Sequence, residues 1–267
     1  MNTVEEAKAF QKILLETGSY RTDPHRPVSA LGRSDIWYYL RLLKFLWDGS
    51  RLVAQGKYSD PVWAAHSMTY LSIVEDCGGV FDISGFEHPV RLGRSCVYIG
   101  NHMSLLEAFV TPSMLLSLNR PAAVAKKSLL NYPLLGPITR AVDPIAVGRT
   151  NPREDLKSVL EQGKACLDNN RSVVLFPQAT RSATFNPKAF NSLGVKLAKR
   201  AGAPIIPLAL KTDFIQNGKL IKDLGSLDRT KTIHMKFGEP LWVGENEKDA
   251  NRKIVSFIQE SLEEWSS

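Results

Sequence analysis

The sequence predicts an α/β protein: a single domain with a largely parallel mixed sheet flanked by helices, preceded by an N-terminal amphipathic two-helix motif. From Val80 onward, short apolar runs of strand length alternate with longer segments of helical periodicity, an order typical of parallel sheets with crossover helices. The run from Ser172 to Phe176 is almost continuously apolar, as buried parallel strands are. We expect an N-terminal extension over 1–34, the two-helix motif over 35–78 and the α/β domain over 79–267.

The N-terminal extension is weakly patterned. One short amphipathic stretch, from Phe10 to Leu15, is followed by a turn-rich run, Tyr20 to Arg33, that contains two prolines. We expect this region to be loosely attached.

The segment from Asp35 to Gln55 predicts a helix with a narrow polar stripe and a wide apolar surface. A second apolar stretch, Pro61 to Val74, is shorter than the roughly 18 to 20 residues that a membrane span needs. Tryptophans and tyrosines with basic residues nearby favour a hairpin lying in a membrane interface. The alternative is that both helices pack on the domain or on a partner chain. The nearby basic residues are Arg41, Lys44, Arg51 and Lys57.

The α/β region divides into alternating elements. Apolar runs of four to six residues predict strands over 80–84, 95–99, 122–125, 144–147, 172–176, 205–210 and 233–237. Apolar residues at helical spacing predict helices over 104–118, 152–167 and 187–200, and one at the C-terminus. The second helix has Asn151 as a plausible N-cap and Pro152 at its first position, and Gly202 follows the third.

Charge and cysteine content narrow the function classes. The 34 Lys and Arg against 27 Asp and Glu give a net charge of +7, which suits nucleic acid, an anionic membrane surface or a phosphorylated small molecule. The basic residues form no single run interleaved with aromatics, which argues against nucleic acid. Three cysteines without paired spacing fit a reducing compartment, and no metal-binding motif is present. The first ten residues lack the order of a signal peptide.

A histidine and a carboxylate follow one of the predicted strands. Ligand sites of open α/β sheets lie at the carboxyl ends of strands, and His102 follows the 95–99 strand with Glu107 five positions later. A neutral imidazole can take a proton from a hydroxyl, and a carboxylate bonded to its other nitrogen fixes the tautomer. An isolated pair of this kind also fits a structural histidine that caps a helix.

Two arginines follow other strands. Arg149 comes after the 144–147 strand and Arg181 after the 172–176 strand. Guanidinium groups near a histidine suit recognition of a phosphate by bidentate hydrogen bonds, although a lone arginine is usually a solvated surface residue. No G-x-S-x-G elbow and no P-loop is present.

Two blocks of sequence carry a resemblance to a known family. Residues 101–107, Asn-His-Met-Ser-Leu-Leu-Glu, resemble the N-H-x-x-x-x-D/E block of the glycerolipid acyltransferases, which include 1-acylglycerol-3-phosphate acyltransferase. Residues 176–182, Phe-Pro-Gln-Ala-Thr-Arg-Ser, resemble the family's F-P-E-G-T-R-S block. Two weaker blocks, 144–149 and 205–208, lie in the family's order. The resemblance covers roughly 80–242, and residues 35–75 resemble the two-helix motif of bacterial members.

The resemblance implies an O-acyltransferase that moves a fatty acyl chain from acyl-CoA or acyl-carrier protein to a hydroxyl of a glycerol-phosphate-type lysolipid, such as lysophosphatidate. His102 would deprotonate the acceptor hydroxyl and Glu107 would orient His102, with no covalent acyl-enzyme, no bound cofactor and no metal. The acceptor is a membrane lipid, so we expect a peripheral or monotopic protein on the cytoplasmic side of an anionic membrane surface. The implied substrate-binding residues are Asn101, Arg149, Gln178, Thr180, Arg181 and Ser182.

The sequence departs from the family pattern at three positions. Glu107 stands where Asp is commoner, and Gln178 and Ala179 replace Glu and Gly. These departures motivate an alternative, a non-catalytic peripheral membrane protein that keeps the fold and binds anionic lipid. The intact pair of His102 and Glu107 argues against it, because a binding module does not need that pair.

Overall fold

Residues 1–178, 180–218 and 224–266 are described by a computed structural model. Short 3₁₀ turns lie at Leu31–Arg33, Lys127–Asn131 and Pro187–Ala189. The helices are α1 (Val4–Thr17), α2 (Asp35–Ala54), α3 (Asp60–Asp76), α4 (Glu87–Leu92), α5 (Leu106–Leu115), α6 (Leu135–Ala141), α7 (Pro152–Asp168), α8 (Leu193–Ala201) and α9 (Glu247–Glu264). The strands are β1 (Tyr20–Arg21), β2 (Val80–Ser84), β3 (Val97–Gly100), β4 (Ala122–Lys126), β5 (Ile145–Val147), β6 (Val173–Leu175), β7 (Ile205–Lys211) and β8 (Thr232–Phe237).

The described strands form one sheet in the order β1-β2-β8-β7-β3-β6-β4-β5. Strands β7, β3, β6, β4 and β5 run parallel, and β8 runs antiparallel to β7 and parallel to β2. The predicted fold class, an α/β protein with a largely parallel mixed sheet, is therefore confirmed. Because five neighbouring strands share one direction, their carboxyl ends lie side by side. We call this line of strand ends the active edge.

Apolar side chains on the two faces of the sheet form two core clusters. Alternation along β3 sends Tyr98 to one face and Ile99 to the other. The Tyr98 face is covered by α1, α2, α3 and α5, which contribute Leu14 and Tyr70 among others. The Ile99 face is covered by α7, α8 and α9, which contribute Ile254 among others. The sheet is thus buried between two layers of helices, as parallel sheets generally are.

The expectation that residues 1–34 are loosely attached is wrong. Helix α1 begins with a capping box between Thr3 and Glu6, and Leu14 is fully buried. Strand β1 pairs with β2, and the Tyr20 hydroxyl donates to Oε1 of the buried Glu75 over 2.6 Å. The turn-rich composition concealed this attachment because β1 is only two residues long and depends on its partner strand.

The two helices predicted to form an interface hairpin have different surroundings. Helix α3 lies in the core, where Tyr70 is fully buried, so it corresponds to the alternative in which a helix packs on the domain. Helix α2 buries one face and exposes the other. Its exposed apolar stripe, at positions spaced by three or four residues, consists of Ile36 (74% exposed), Leu40 (54%), Leu43 (55%) and Trp47 (59%). An interface role therefore remains a prediction for α2.

The helix predicted over 187–200 is divided in the structure. The Asn186 side chain accepts the backbone N–H of Lys188 and caps the short turn Pro187–Ala189. The Asn191 side chain then accepts the backbone N–H of Leu193 at the start of α8. Asn186 caps the turn, and Asn191 makes its bond one residue before Ser192, the N-cap of α8, so the two asparagines separate the turn from the helix.

Candidate active site

Strand β3 delivers His102 to the middle of the active edge. Gly100, its last residue, lies so close to β7 that a Cβ there would be 2.8 Å from the carbonyl oxygen of Leu208. The Asn101 amide continues this pairing, because its Nδ2 donates to the carbonyl of Leu210 over 2.7 Å and its Oδ1 accepts the Leu210 N–H over 2.8 Å. Asn101 is 1% exposed, so its contacts fix β7 beside β3. A contact with substrate remains a prediction.

His102 and Glu107 form a hydrogen-bonded pair at this position. Glu107 lies in the first turn of α5, and its Oε1 is 3.0 Å from Nδ1 of His102. A carboxylate can only accept, so in the neutral ring Nδ1 carries the proton and Nε2 keeps a lone pair. The His102 side chain is 20% exposed and that of Glu107 is 0% exposed. The pair therefore presents one accessible imidazole whose second nitrogen can accept a proton.

Further donors surround the Glu107 carboxylate. The backbone N–H groups of Met103 and Ser104 donate to Oε1 over 2.7 and 3.0 Å, and the hydroxyls of Ser104 and Thr212 each lie 2.9 Å from Oε2. Burial alone would raise the pKa of Glu107. The hydrogen bond and charge of His102, with the backbone donors, outweigh burial and hold that pKa below its ordinary value. Glu107 is therefore ionised and can stabilise a protonated His102.

The segment after β6 contacts His102 through one ring stack and two hydrogen bonds. The Phe176 ring stacks on the imidazole with centroids 4.6 Å apart and planes 10° apart. Oε1 of the buried Gln178 accepts the backbone N–H of His102 over 2.7 Å, and the Ser182 N–H donates to the His102 carbonyl over 3.0 Å. This contact of Gln178 needs only an acceptor oxygen, which the Glu of the family pattern would also supply. Ala179 lies outside the described residues.

Cationic side chains follow the strands on one side of His102. Arg181 is half-buried in the loop after β6, the strand beside β3. Arg149 is exposed and follows β5, three strands away, which is about 14 Å at 4.7 to 4.9 Å per strand. The N–H groups of Gly148 and Arg149 both donate to the Asp155 carboxylate over 2.8 Å, which fixes this turn although Arg149 has a φ of +61°. Lys126 ends β4, between β6 and β5.

The structure thus brings His102, Glu107, Gln178 and Ser182 into one cluster. The exposed Thr180 and the half-buried Arg181 belong to the same loop, whereas Arg149 lies farther along the active edge.

Three residues of the site were missed by the sequence reasoning. Lys126 could have been found, because it directly follows the strand predicted over 122–125, and the rule of strand ends applies to it equally. Thr212 gave no signal, since it lies 105 residues from the carboxylate it contacts. Phe176 was interpreted as the end of an apolar strand and as the first residue of the 176–182 block, without a role beside His102.

The described residues contain neither a metal-binding cluster nor a membrane-spanning helix. Residues 1–178, 180–218 and 224–266 contain no group of three or more His, Cys, Asp or Glu side chains placed to hold a metal ion. Over the same ranges, none of the helices has the length and apolar character that crossing a bilayer requires.

The fold and site define a class: α/β proteins with a buried carboxylate that supports an accessible histidine at the carboxyl ends of parallel strands. Residues 83–211 match the Acyltransferase family, which confirms the resemblance to the glycerolipid acyltransferases. The 1-acyl-sn-glycerol-3-phosphate acyltransferase of Limnanthes alba is 33% identical over 129 residues, which cover 48% of this chain and 44% of the relative. The enzyme of that name from Pseudomonas aeruginosa is 31% identical over 129 residues, 48% of each chain.

A solved structure shows the same fold. The 1-acyl-sn-glycerophosphate acyltransferase PlsC from Thermotoga maritima superimposes with a TM-score of 0.67 at 16% identity, covering 87% of this chain and 95% of that one. By sequence, the chain spans about half the length of the curated relatives it matches.

Proposed function

We propose that this protein transfers a fatty acyl chain from an acyl thioester, acyl-CoA or acyl-carrier protein, to a hydroxyl of a glycerol-phosphate-type lysolipid, with lysophosphatidate as the first candidate. The main support for this proposal is the pair formed by His102 and the ionised, fully buried Glu107 at the active edge. The relatives with matching sequence are named as 1-acyl-sn-glycerol-3-phosphate acyltransferases, which supports this choice of acceptor.

The geometry supports direct transfer with His102 as general base. Nε2 of His102 takes the proton of the acceptor hydroxyl while the hydroxyl oxygen attacks the thioester carbonyl carbon. A C–O bond forms, the C–S bond breaks, and the proton on Nε2 passes to the leaving thiolate. Glu107 offsets the positive charge that His102 carries between these two proton transfers. No residue of this chain becomes acylated in this sequence.

The cationic side of the active edge supports binding of the acceptor phosphate. Arg181 precedes Ser182, whose N–H donates to the His102 carbonyl. Lys126 and Arg149 lie at the ends of the next two strands. Guanidinium groups bind phosphate by paired hydrogen bonds, and a lysine adds charge. Thr180 and Ser182 shape the loop that carries Arg181, as the resemblance implies.

We further propose that the protein meets its lipid acceptor as a peripheral protein on the cytoplasmic side of an anionic membrane. Support comes from the apolar stripe of α2, which exposes more than half of the side chain at Ile36, Leu40, Leu43 and Trp47.

Replacement of the proposed catalytic pair tests the function. We expect His102→Ala to lower kcat by 10² to 10⁴ times, roughly the contribution of a general base, and Glu107→Gln to lower it by about 10² times or more. The measurement is acyl transfer to a panel of lysophospholipids with palmitoyl-CoA and palmitoyl-carrier protein. His25→Ala, at an exposed histidine, is the matched control and should keep full activity.

Two results would contradict the proposal. One is full activity of His102→Ala. The other is no transfer by the unmodified protein to any acceptor from either donor, together with retained binding to anionic vesicles, which would favour the non-catalytic lipid-binding alternative.

A further inference from the structure

A cavity of about 700 Å³ lies beside His102 on the face of the sheet covered by α9. Met103, the residue after His102, and Ala183–Phe185, which continue the loop fastened to His102, form one wall. The end of β7, the beginning of β8 and the last turns of α9 form the rest. Sites for small molecules typically measure 300 to 1,000 Å³. The cavity is separate from the cationic side of the active edge, because neither Arg149 nor Arg181 lines it.

The charged groups that line the cavity are balanced in number. Lys231 pairs with Asp213, with Nζ 2.6 Å from Oδ2. Lys211 and Glu263 add one charge of each sign. Burial lowers the pKa of His234 below its ordinary 6.5, so this imidazole is neutral at pH 7. The lining therefore carries two positive and two negative charges, which gives a phosphate group little net attraction.

The remaining lining is partly apolar. Phe185, Leu262 and Trp265 contribute apolar surface, and the Trp265 ring stacks on His234 with centroids 4.8 Å apart. Polar groups lie among them, so the cavity suits a ligand that alternates polar and apolar groups rather than a long acyl chain.

One residue that lines the cavity, Asp213, has an acceptor atom without a partner in the described part of the chain. Oδ1 of Asp213 is buried and has no hydrogen-bond partner within the described part of the chain. A buried acceptor without a partner is costly, and the cost is removed when a ligand supplies an N–H or O–H donor.

We propose that this cavity receives the pantetheine part of the acyl donor's phosphopantetheine arm, with the phosphate outside the cavity, an inference that rests on the proposed function. The arm carries two amides, a hydroxyl and a dimethyl carbon, and this uncharged alternation matches the balanced, mixed lining. Its amide and hydroxyl groups are donors of the kind that Oδ1 of Asp213 lacks. The thioester at the end of the arm passes Met103 to reach His102. Coenzyme A and acyl-carrier protein share this arm, so either can be its source.

The position of the cavity separates the two substrates. The α2 stripe belongs to a helix that covers the opposite face of the sheet from α9. In this arrangement the lipid acceptor arrives from the α2 side and the water-soluble part of the donor from the α9 side, with His102 between them.

The test introduces a large side chain into the cavity at a position on α9. Gln259 lines the cavity, and Glu260 is the next residue, exposed and outside the lining. We expect Gln259→Trp to raise the KM for the donor about tenfold and to leave the KM for the lysolipid within about twofold. Glu260→Trp is the matched control and should change neither constant. The assays use the full chain with palmitoyl-CoA and, separately, palmitoyl-carrier protein.

A second measurement does not depend on turnover. Coenzyme A or holo-carrier protein, added to the unmodified protein, should slow hydrogen exchange of backbone amides over 259–266, and Gln259→Trp should abolish this protection. Protection by only one of them identifies the source of the arm.

The failures of the two proposals are distinguishable. If the unmodified protein transfers acyl chains but Gln259→Trp leaves the donor KM unchanged, or raises only the lysolipid KM, the cavity does not bind the arm. Absence of protection from both compounds would also show that the arm binds elsewhere. If no acyl transfer occurs with any substrate while protection is seen, the proposed function fails and the binding site stands.

Discussion

Thr212 is the most distant contributor to the site, and its hydroxyl lies 2.9 Å from Oε2 of Glu107. A hydrogen bond to a charged group contributes about 1.5 to 3 kcal/mol, and one pH unit corresponds to about 1.4 kcal/mol. In Thr212→Val the Glu107 carboxylate loses this donor and its pKa rises. Glu107 is charged both before and after His102 is protonated, so only part of the hydrogen-bond energy affects that step, and we expect the acid limb of the pH–kcat profile to move upward by less than about one pH unit.

The control is Thr139→Val, whose hydroxyl binds the Leu135 carbonyl within α6. Its profile should match that of the unmodified protein. A Thr212→Val profile that coincides with the control would show that Thr212 has no influence on the pair.

His66 makes stability depend on pH. Its Nε2 lies 2.9 Å from the Phe45 carbonyl and its Nδ1 2.9 Å from the Tyr58 hydroxyl, so the neutral ring satisfies both atoms. Burial lowers the pKa of His66 from 6.5 to about 4. Between these values the unfolded chain binds a proton that the folded chain does not. The free energy of unfolding should therefore fall by up to about 3 kcal/mol as pH decreases from 6.5 to 4.

Urea unfolding at pH 7, 6 and 5 measures this dependence. His66→Gln should flatten it, whereas His25→Gln, at an exposed histidine, should leave it unchanged. The same slope in both variants would assign the pH dependence to other groups.

Contacts between residues that are close in the sequence were predicted correctly, and contacts between distant residues were not. His102 and Glu107 were found because they lie five positions apart and follow a strand. Gln178 was assigned to the substrate, yet the described contact of its amide oxygen is with the His102 backbone, 76 residues away. Such a contact leaves no trace in local sequence, since it depends on β3 and β6 being neighbours.

Substitutions in α1 test whether the N-terminal region contributes to the free energy of unfolding. Leu14 is 0% exposed in the core and its neighbour Ile13 is 46% exposed. Leu14→Ala should lower the free energy of unfolding by about 2 to 5 kcal/mol, because it removes a fully buried side chain. Ile13→Ala should change it by less than about 0.5 kcal/mol. If both variants changed the free energy of urea unfolding by equally small amounts, the N-terminal region would be loosely attached after all.

Helix α2 carries the prediction about the membrane. Leu40→Glu with Leu43→Glu removes two exposed leucines, each of which contributes roughly 1.5 to 3 kcal/mol when it is buried in lipid. We expect at least a tenfold loss of binding to anionic vesicles in a sedimentation assay.

The matched control places the same changes on another helix. Ile13→Glu with Leu15→Glu alters two exposed apolar residues of α1. Equal loss of vesicle binding in both double variants would show that α2 is not the contact surface. Deletion of 1–75 is unsuitable, because it would remove most of α3 from the core.

Element types were predictable where periodicity and caps agreed. Helix α7 begins at Pro152 as expected, because Asn151 accepts backbone N–H groups at its start. Helix α3 was correctly placed along the chain but assigned to an interface, since continuous apolar character is the same for a core helix and a membrane-facing one. Burial is decided by neighbours, and neighbours are absent from a local pattern.

For the whole molecule, the alternation of elements was enough to predict the α/β class. It did not reveal that β8 reverses direction, because a short apolar strand looks the same whichever way it runs. The order of strands was likewise beyond the sequence pattern, although it decides that Arg181 lies near His102 and Arg149 farther away. The net charge of +7 is consistent with the cations along the active edge.

The bond between Glu107 and Thr212 also has a consequence during synthesis on the ribosome. Ribosomes add about 5 to 20 residues per second, so the 105 residues that separate this bond's two partners take roughly 5 to 20 s to make. Throughout that interval His102 and Glu107 exist on the nascent chain without β7 beside them. A pair that looks local in sequence is therefore completed late, and a chain interrupted before residue 212 carries both residues of the motif without their finished surroundings.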